Sequence, residues 1–576
     1  MTTPDAAQPL ATTPVHAARP QGEWWRNAVI YQVYPRSFAD GDGDGMGDLA
    51  GITKRLDHLA ALGVDALWLS PFYRSPQADG GYDVADYRDV DPLFGTLADF
   101  DALRARATEL GLRVIVDLVP NHTSDQHAWF QEALRAGAGS PARDRYLFRE
   151  GRDGGETPPN NWTSIFGGPA WTRVDQRADA AELGLTGDRQ WYLHLFDTTQ
   201  PDLDWSREEV HAELRDVLRF WLDRGVDGFR VDVAHGLVKK PDLPDWDWST
   251  AMVTGSDGAA AQQTSLSPMF DQPGVHDIYR EWNAVLAEYD GDRALVAEAW
   301  VEPLSSLADY VRPDEMQQAF NFPYLSTDWD AAALRETITE SFRVYDAVGA
   351  PCTWVLSNHD VVRHASRLGL PAGPRPNGIR AHDPQPDAAL GLRRARAATL
   401  QMLALPGSAY LYQGEELGLP EHSELDDSLR QDPTWFRTGY QEAGRDGCRV
   451  PLPWEADAPG LGFGPTGATW LPQPTSYRAL AVDAQSGDAG STLELYRAAL
   501  ALRAERDLGD GALAWVDAYV GSSDVLAFVT DDMLVLTNLG TAAVALPDGY
   551  AAVLTSGPLD AGRVPVDTTV WALPRA

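Results

Sequence analysis

The sequence predicts an α/β fold in which a (β/α)8 barrel (TIM barrel) carries an inserted domain B and a C-terminal antiparallel β domain. Three times, an amphipathic helix is followed by a glycine and a uniformly apolar strand, at 64–70, 112–119 and 226–233. Strands that are apolar on both faces are typical of a parallel sheet covered by helices. With five further strand candidates they make eight βα units, which favours a closed barrel over a doubly wound sheet. The first strand is followed by neither a GxGxxG nor a Walker-type loop, which argues against a nucleotide-binding fold.

The other strand candidates and the long loops set the domain boundaries. These five candidates span 29–34, 294–300, 318–324, 351–357 and 408–416. A segment rich in Gly, Pro, Trp and Asp separates the third strand from the fourth and indicates an insertion. The last residues alternate apolar and polar, as antiparallel strands do. We therefore predict a disordered tail at 1–22, a barrel (domain A) at 23–122 and 206–512, domain B at 123–205 and a C-terminal β-sandwich (domain C) at 513–576.

Composition limits the classes of partner. The chain has 84 acidic and 47 basic residues, hence a net charge of −37. Such a charge repels phosphate backbones and anionic lipid, so we expect no nucleic-acid or membrane partner and a small-molecule ligand instead. Two cysteines form no disulfide framework, and we see neither a signal peptide nor a membrane-spanning run. We expect a cytoplasmic monomer or homodimer.

Ionisable side chains gather at the carboxyl ends of the predicted strands, where such barrels place their active sites. Arg230 and Asp232 lie two residues apart on one strand, so both side chains point to the same face, and the cation should hold the carboxylate ionised. Glu298 has apolar neighbours, which should keep it protonated as a general acid. One ionised and one protonated carboxyl are the equipment of glycoside hydrolysis. The other strand ends contribute Asp117, Asn121, His122, His359 and Asp360.

An acidic loop, DGDGDGMGD at 40–48, follows the first strand. Carboxylates at alternate positions with intervening glycines are typical of a Ca²⁺ loop, and a solvated turn is the alternative. It is not an EF-hand, since residue 51 is glycine and not glutamate. We predict a structural Ca²⁺ site, with Mg²⁺ as the other possible ion and no organic cofactor. The predicted ligands are Asp40, Asp42, Asp44, Asp48 and the main-chain carbonyl of Met46.

Six segments, in this order, resemble signature motifs of the α-amylase family of glycoside hydrolases (family 13). They are GVDALWLSP (63–71), DLVPNHTS (117–124), QPDLDW (200–205), GFRVDVAHG (228–236), VAEAW (296–300) and SNHD (357–360). The resemblance covers about 24–505 and implies the same barrel, domain B and domain C. It also implies that Asp232 is the nucleophile, Glu298 the acid and then the base, and Asp360 the third acid. Arg230 would orient the nucleophile, and His122 and His359 would bind the glucose of subsite −1.

Within the family, the chain is most similar to the oligo-1,6-glucosidase and α-glucosidase group. Asp79 and Tyr82 match that group's D-x-G-Y-D motif, whose Asp pairs with an Arg at the pocket end and whose Tyr stacks on the sugar. Arg445, in GRDGCRVPLPW (444–454), matches the Arg. Phe166 and Phe196 match aromatic positions in the pocket wall of that group. A closed pocket implies exo action on single non-reducing glucosyl units, by double displacement with carboxyl groups ~5–5.5 Å apart.

Two features bear on the linkage in opposite directions. In this group, Val233 after the nucleophile favours α-1,6 bonds, whereas the continuation Ala234 to Leu237 resembles α-1,4-acting enzymes. We expect an α-glucosidase acting on maltose and short malto-oligosaccharides. An oligo-1,6-glucosidase and a transglucosidase or sucrose isomerase stay open, and the intact carboxylates disfavour a non-catalytic sugar-binding scaffold. We expect His235 either near subsite +1 or packed as a structural histidine. We also hypothesise that alkylation of Cys448 inhibits the enzymatic activity.

Overall fold

One parallel sheet of eight strands forms the barrel. The computed structural model describes residues 10–19, 22–247, 267–373 and 375–575. The barrel strands are Val29–Val33, Ala66–Leu69, Arg113–Leu118, Gly228–Val231, Ala294–Ala297, Gln318–Ala319, Thr353–Val355 and Ser408–Tyr412. Numbered along the chain, the barrel strands lie side by side in the order six, five, four, three, two, one, eight, seven. A parallel bridge between Phe320 and Thr353 joins the sixth strand to the seventh and closes the circle. The predicted barrel is confirmed.

Helices cover the outside of the barrel. The longer ones are Leu49–Leu62, Leu97–Glu109, Glu208–Asp223, Val275–Leu286, Ala331–Val348, Ala388–Leu403 and Thr492–Glu505. The shorter ones are Pro35–Phe38, Ala128–Ala136, Leu304–Asp309, Phe322–Ser326, His364–Arg367, Pro433–Arg437 and Val482–Gln485. Gly63 ends the first long helix at a φ of 93°, in the left-handed region that glycine reaches without strain. Across the described residues, we find no helix with the length and apolar character to cross a bilayer.

The sixth strand is shorter than the sequence predicts. The strand comprises Gln318–Ala319, and Phe320 adds the single bridge to Thr353. The rest of the predicted strand 318–324 forms a helix instead. The side chain of Asn321 accepts a hydrogen bond from Tyr324 N and caps that helix, with Pro323 in its first turn. An N-cap followed by proline is a helix start, and it overrides the apolar strand pattern here.

The segment between the third and fourth strands forms a small domain over the catalytic end. Its antiparallel sheet contains Phe148–Glu150, Gln190–Leu193 and Trp171–Arg173, in that order. A bridge between His122 and Asp202 brings its two ends together. Its aromatic core includes Phe166 and Phe196 and continues onto Val233 of the barrel. A separate two-stranded ribbon, Tyr73–Arg74 with Asp86–Val90, carries the loop containing Asp79.

The C-terminal domain is an antiparallel sheet that packs on the barrel helices. Its strands, in spatial order, are Thr12–His16, Leu513–Val516, Val525–Thr530, Met533–Asn538, Thr568–Pro574 and Tyr550–Thr555. Trp571 Nε1 donates to Leu400 O at 2.9 Å across the face toward the barrel. A two-stranded ribbon, Val544–Ala545 with Arg563–Val564, contributes Val564 to the core of the opposite face.

The first strand of that sheet corrects the prediction of a disordered tail at 1–22. Thr12–His16 pairs antiparallel with Leu513–Val516, and His16 stacks on Phe342 of a barrel helix at a ring distance of 4.6 Å. His16 Nδ1 also lies 2.9 Å from Asp346 Oδ2. Residues 1–9, 20 and 21 lie outside the described residues. The prediction failed because the partner strand follows about 500 residues later, which no local pattern reveals.

Candidate active site

Arg230 lies at the centre of the catalytic end and joins three carboxyl groups. It is level with Asp117 of the third strand, its register partner in the sheet. Its Nη1 lies 3.0 Å from Asp117 Oδ1 and 2.6 Å from Asp232 Oδ1, and its Nη2 lies 2.9 Å from Glu298 Oε2. All four side chains are buried. The structure thus brings Asp232 and Glu298 together on the two terminal nitrogens of one guanidinium.

One guanidinium does not neutralise three carboxylates. Burial raises the pKa of Asp117 to about 7, against the effect of Arg230. Burial also raises the pKa of Asp232 well above its ordinary value; Arg230 opposes this, and the carboxylates of Glu298 and Asp117 add to it. The predicted contact of Arg230 with Asp232 is present, but Asp117 and Glu298 share the same cation. With its cation shared, the cluster favours holding a proton at neutral pH.

Three N–H groups contact the carboxyl group of Glu298, a more polar setting than its apolar sequence neighbours suggest. Its Oε2 accepts from Val233 N at 2.9 Å as well as contacting Arg230. Its Oε1 accepts from Trp300 Nε1 at 3.1 Å. Val233 has a φ of 45°, a strained conformation for a β-branched residue, and this turn directs its N–H at the carboxyl group.

Two arginines contact Asp360, the predicted third acid. Asp360 Oδ1 lies 3.0 Å from Arg445 Nη1 and 2.9 Å from Arg449 Nη2. Burial would raise the pKa of Asp360, but His359, Arg445 and Arg449 outweigh it and hold that pKa below its ordinary value. Burial lowers the pKa of His359 itself well below the ordinary value. Asp360 is therefore an ionised acceptor at the cavity wall.

Asp79 and Arg445 form an ion pair in the wall of the cavity. Arg445 Nη2 lies 2.6 Å from Asp79 Oδ1, and its Nε lies 2.5 Å from Asp432 Oδ2. The Phe166 ring lies 4.9 Å from the guanidinium. Burial would raise the pKa of Asp432, but Arg445 and Arg449 hold it at about 2. Asp432 and Arg449 were missed from the sequence, because charge pairs between distant loops leave no local pattern.

His122, Tyr82 and Phe196 line the same cavity. The rings of Tyr82 and His359 stack at 5.1 Å, and Tyr82 OH donates to Asp117 Oδ2 at 3.0 Å. Burial lowers the pKa of His122 to about 4, so the imidazole is neutral. Gln200 Nε2 lies 3.1 Å from both His122 Nε2 and Asp79 Oδ2. Gln200 is the first residue of the QPDLDW segment, and the sequence did not predict its contacts with His122 and Asp79.

The cavity has a volume of about 1240 Å³. Ten of the eleven predicted catalytic and substrate-binding residues line it, and Arg230 lies behind them. Trp300 and Val233 line it as well. A cavity of this size accommodates a short oligosaccharide.

Lys239 supplies a buried positive charge below His122. Its Nζ lies 2.6 Å from Asn121 Oδ1 and 2.7 Å from Asp202 Oδ2. Burial lowers the pKa of Lys239, and Asp202 opposes that change. The ammonium thereby ties the end of the third strand to domain B.

His235 and Cys448 are packed residues. His235 stacks on Phe270 at 4.7 Å, burial lowers its pKa to about 3, and it is not among the residues that line the cavity. Cys448 is 1% exposed, and burial raises the pKa of its thiol well above the ordinary value. A buried neutral thiol is a poor nucleophile, which argues against the hypothesis of inhibition by alkylation.

The acidic loop brings three carboxylates together. Oxygens of Asp40, Asp42 and Asp48 lie within 4.8 Å of one another, a spacing that fits one hard cation. Asp44 is outside this group and accepts from Met46 N at 2.7 Å. Asp48 also caps the helix Leu49–Leu62.

The chain is similar to known proteins over most of its length. The family model "Alpha amylase, catalytic domain" matches residues 32–511. A probable α-glucosidase of Rhizobium meliloti (strain 1021) is 40% identical over 510 residues, 86% of each chain. An oligo-1,6-glucosidase of Parageobacillus thermoglucosidasius is 35% identical over 518 residues, 84% of each chain. The crystal structure of the α-glucosyl transfer enzyme XgtA superposes with a TM-score of 0.81 at 38% identity, covering 96% of this chain and 100% of that one.

Proposed function

Because this chain belongs to the α-amylase family of glycoside hydrolases, we propose that it is a retaining, exo-acting α-glucosidase that releases glucose from maltose and short malto-oligosaccharides. The observation that carries the proposal is the shared guanidinium of Arg230, which binds Asp232 and Glu298 at 2.6 and 2.9 Å beside the cavity. A nucleophile and an acid held this close suit a double displacement.

In the first proposed step, Glu298 gives its proton to the glycosidic oxygen while Asp232 attacks the anomeric carbon and the glycosidic bond breaks. In the second step, Glu298 takes a proton from water, which attacks the same carbon and releases Asp232. This step requires the proton on Glu298 and an ionised Asp232, and the contact of Asp232 with Arg230 at 2.6 Å supports its ionised form. Arg230 stays bound to both groups and balances the charge that moves between them.

The pair Asp79–Arg445 supports exo action. The side chain of Asp79 is 4% exposed and that of Arg445 is 12% exposed. In the proposed function they close the pocket beyond the non-reducing glucosyl unit. The donors and acceptors there, including Asp360, suit the hydroxyl groups of one sugar ring. A longer chain extending past that end would displace a buried ion pair, which is costly.

The test is glucose release from maltose, isomaltose and sucrose in parallel, with Asp232→Asn as the blank. We expect release mainly from maltose. Release mainly from isomaltose would replace the proposal by an oligo-1,6-glucosidase, which Val233 and the relative from P. thermoglucosidasius favour. New disaccharides at high sugar concentration, in place of glucose, would indicate a transglucosidase, which the likeness to XgtA favours. No turnover of any of the three sugars would contradict all these functions.

We also propose that Asp40, Asp42 and Asp48 hold a structural Ca²⁺ or Mg²⁺ ion, with the Met46 carbonyl as a further ligand. The proximity of the three carboxylates supports the site. A bound cation would relieve their mutual repulsion and fix the start of the helix that Asp48 caps.

A further inference from the structure

We propose that Trp300 is a positioning residue that fixes Oε1 of Glu298 as the oxygen that transfers the proton. This rests on the proposed function, in which Glu298 is the acid and the base. No motif of the sequence assigned Trp300 a role.

The two oxygens of Glu298 have different surroundings. Oε2 lies 2.9 Å from Arg230 Nη2 and accepts from Val233 N at 2.9 Å. Two donors occupy that oxygen, so a proton there would displace a strong hydrogen bond. Oε1 accepts from Trp300 Nε1 alone among the described contacts, at 3.1 Å. It therefore keeps a lone pair for the proton that moves to or from the substrate.

The indole ring is held in place by a second aromatic ring. The Trp300 and Phe322 rings are parallel, at 5° and a centroid distance of 3.7 Å. Phe322 is buried and begins the helix capped by Asn321 after the sixth strand. Stacking restricts the two side-chain torsions of Trp300. The segments that follow the fifth and sixth strands thus together orient the indole N–H of Trp300 toward the carboxyl group of Glu298.

The indole N–H affects the two half-reactions differently. When Oε1–H gives its proton to the glycosidic oxygen, the bonding electrons of the broken bond pass to that oxygen and Asp232 bonds to the anomeric carbon. Glu298 becomes negative, and the indole N–H stabilises the charge on Oε1. When water attacks, Oε1 accepts one of its protons and Asp232 leaves. A donor to a carboxylate favours the ionised form, so removing the donor should shift the basic limb of the pH–rate profile to higher pH.

The test is Trp300→Phe, which keeps a ring against Phe322 and removes the N–H. We expect kcat/KM for maltose to fall about 10- to 100-fold, the range for a hydrogen bond to a charged group. We expect less than about a threefold fall for 4-nitrophenyl α-glucoside, whose leaving group needs little protonation. The basic limb for maltose should move to higher pH. Phe322→Leu, which keeps the N–H but loosens the stack, should show a smaller loss with the same substrate dependence.

Trp24→Phe is the matched control, since it removes an indole N–H donated to Asp292 O, away from the cavity. An equal loss for both substrates, or an unmoved pH profile, would overturn the proposal. If maltose turnover survives in Glu298→Gln, the proposed function fails and this inference with it. If Glu298→Gln is inactive on maltose while Trp300→Phe is unchanged, only the role of Trp300 fails.

Discussion

Arg445 Nη1 lies 3.0 Å from Oδ1 of Asp360, although the two residues are 85 positions apart. The same guanidinium also contacts Asp79 and Asp432. The positions of three carboxyl groups in or beside the cavity wall therefore depend on one side chain.

Arg445→Met should destabilise the protein and reduce turnover together. It leaves Asp79, Asp360 and Asp432 buried without this partner, and breaking a buried ion pair costs about 3–5 kcal/mol. The thermal midpoint and kcat/KM for maltose measure the effect. Arg478→Met is the control, because its contact with Asp457 is exposed, and such pairs contribute at most about 1 kcal/mol. Equal midpoints for the two variants would contradict the prediction.

Asp232→Asn should abolish turnover without lowering stability at pH 7. The folded-state pKa of Asp232 is raised, so this carboxyl stabilises the folded protein less as the pH rises above its unfolded pKa of about 4. The neutral amide removes that penalty. Between pH 5 and 8, the thermal midpoint of the variant should therefore rise increasingly above that of the wild type as the pH increases. A variant that melts earlier across this range, or that keeps substantial activity, would refute the argument.

His194→Gln should reduce the loss of stability in acid. Burial lowers the pKa of His194 to about 4. Below its unfolded pKa of about 6.5, the unfolded chain binds a proton that the folded histidine does not, so stability falls with pH down to about 4, by up to about 3 kcal/mol. Thermal midpoints at pH 7 and pH 4.5 should differ less in the variant. His382→Gln is the control, because this histidine is exposed. Its thermal midpoints at pH 7 and pH 4.5 should differ as much as those of the wild type.

Removing divalent cations should lower the thermal midpoint without removing activity at low temperature. A ligand at 100 times its Kd adds about 2.7 kcal/mol to stability. We expect EDTA to lower the midpoint and Ca²⁺ or Mg²⁺ to restore it, with the stronger response identifying the ion. Asp42→Asn should abolish the response, whereas Asp457→Asn, at an exposed carboxylate, should retain it. A wild type insensitive to EDTA and to both ions would exclude the site.

Iodoacetamide should leave the folded enzyme active. Cys448 is 1% exposed and Cys352 is 2% exposed, and burial raises the pKa of both thiols. Mass spectrometry should show no label in the native protein and two labels per chain in denaturant. Labelling of native Cys448 with loss of activity would restore the original hypothesis.

The sequence predicted the barrel strands because each carries its own apolar run, and three of them follow a glycine that ends a helix. Asp232 and Glu298 could be placed at one rim for the same reason, since parallel strands end at one edge. The pairing of Asp79 with Arg445 came from a family resemblance and not from spacing, because 366 positions separate them. The donors to Glu298 were not predicted. They depend on the turn at Val233 and the stack under Trp300, which exist only once the barrel has closed.

The strand Thr12–His16 is synthesised long before the strand with which it pairs. Its partner, Leu513–Val516, leaves the ribosome some 500 residues later, a wait of about 25–100 s at ordinary rates of translation. During that time the segment has no sheet to join, and Pro14 leaves it one N–H fewer with which to pair elsewhere. Its docking against Leu513–Val516 therefore joins an early-made segment to a late-made one, and the sheet gains this strand only after both segments have been synthesised.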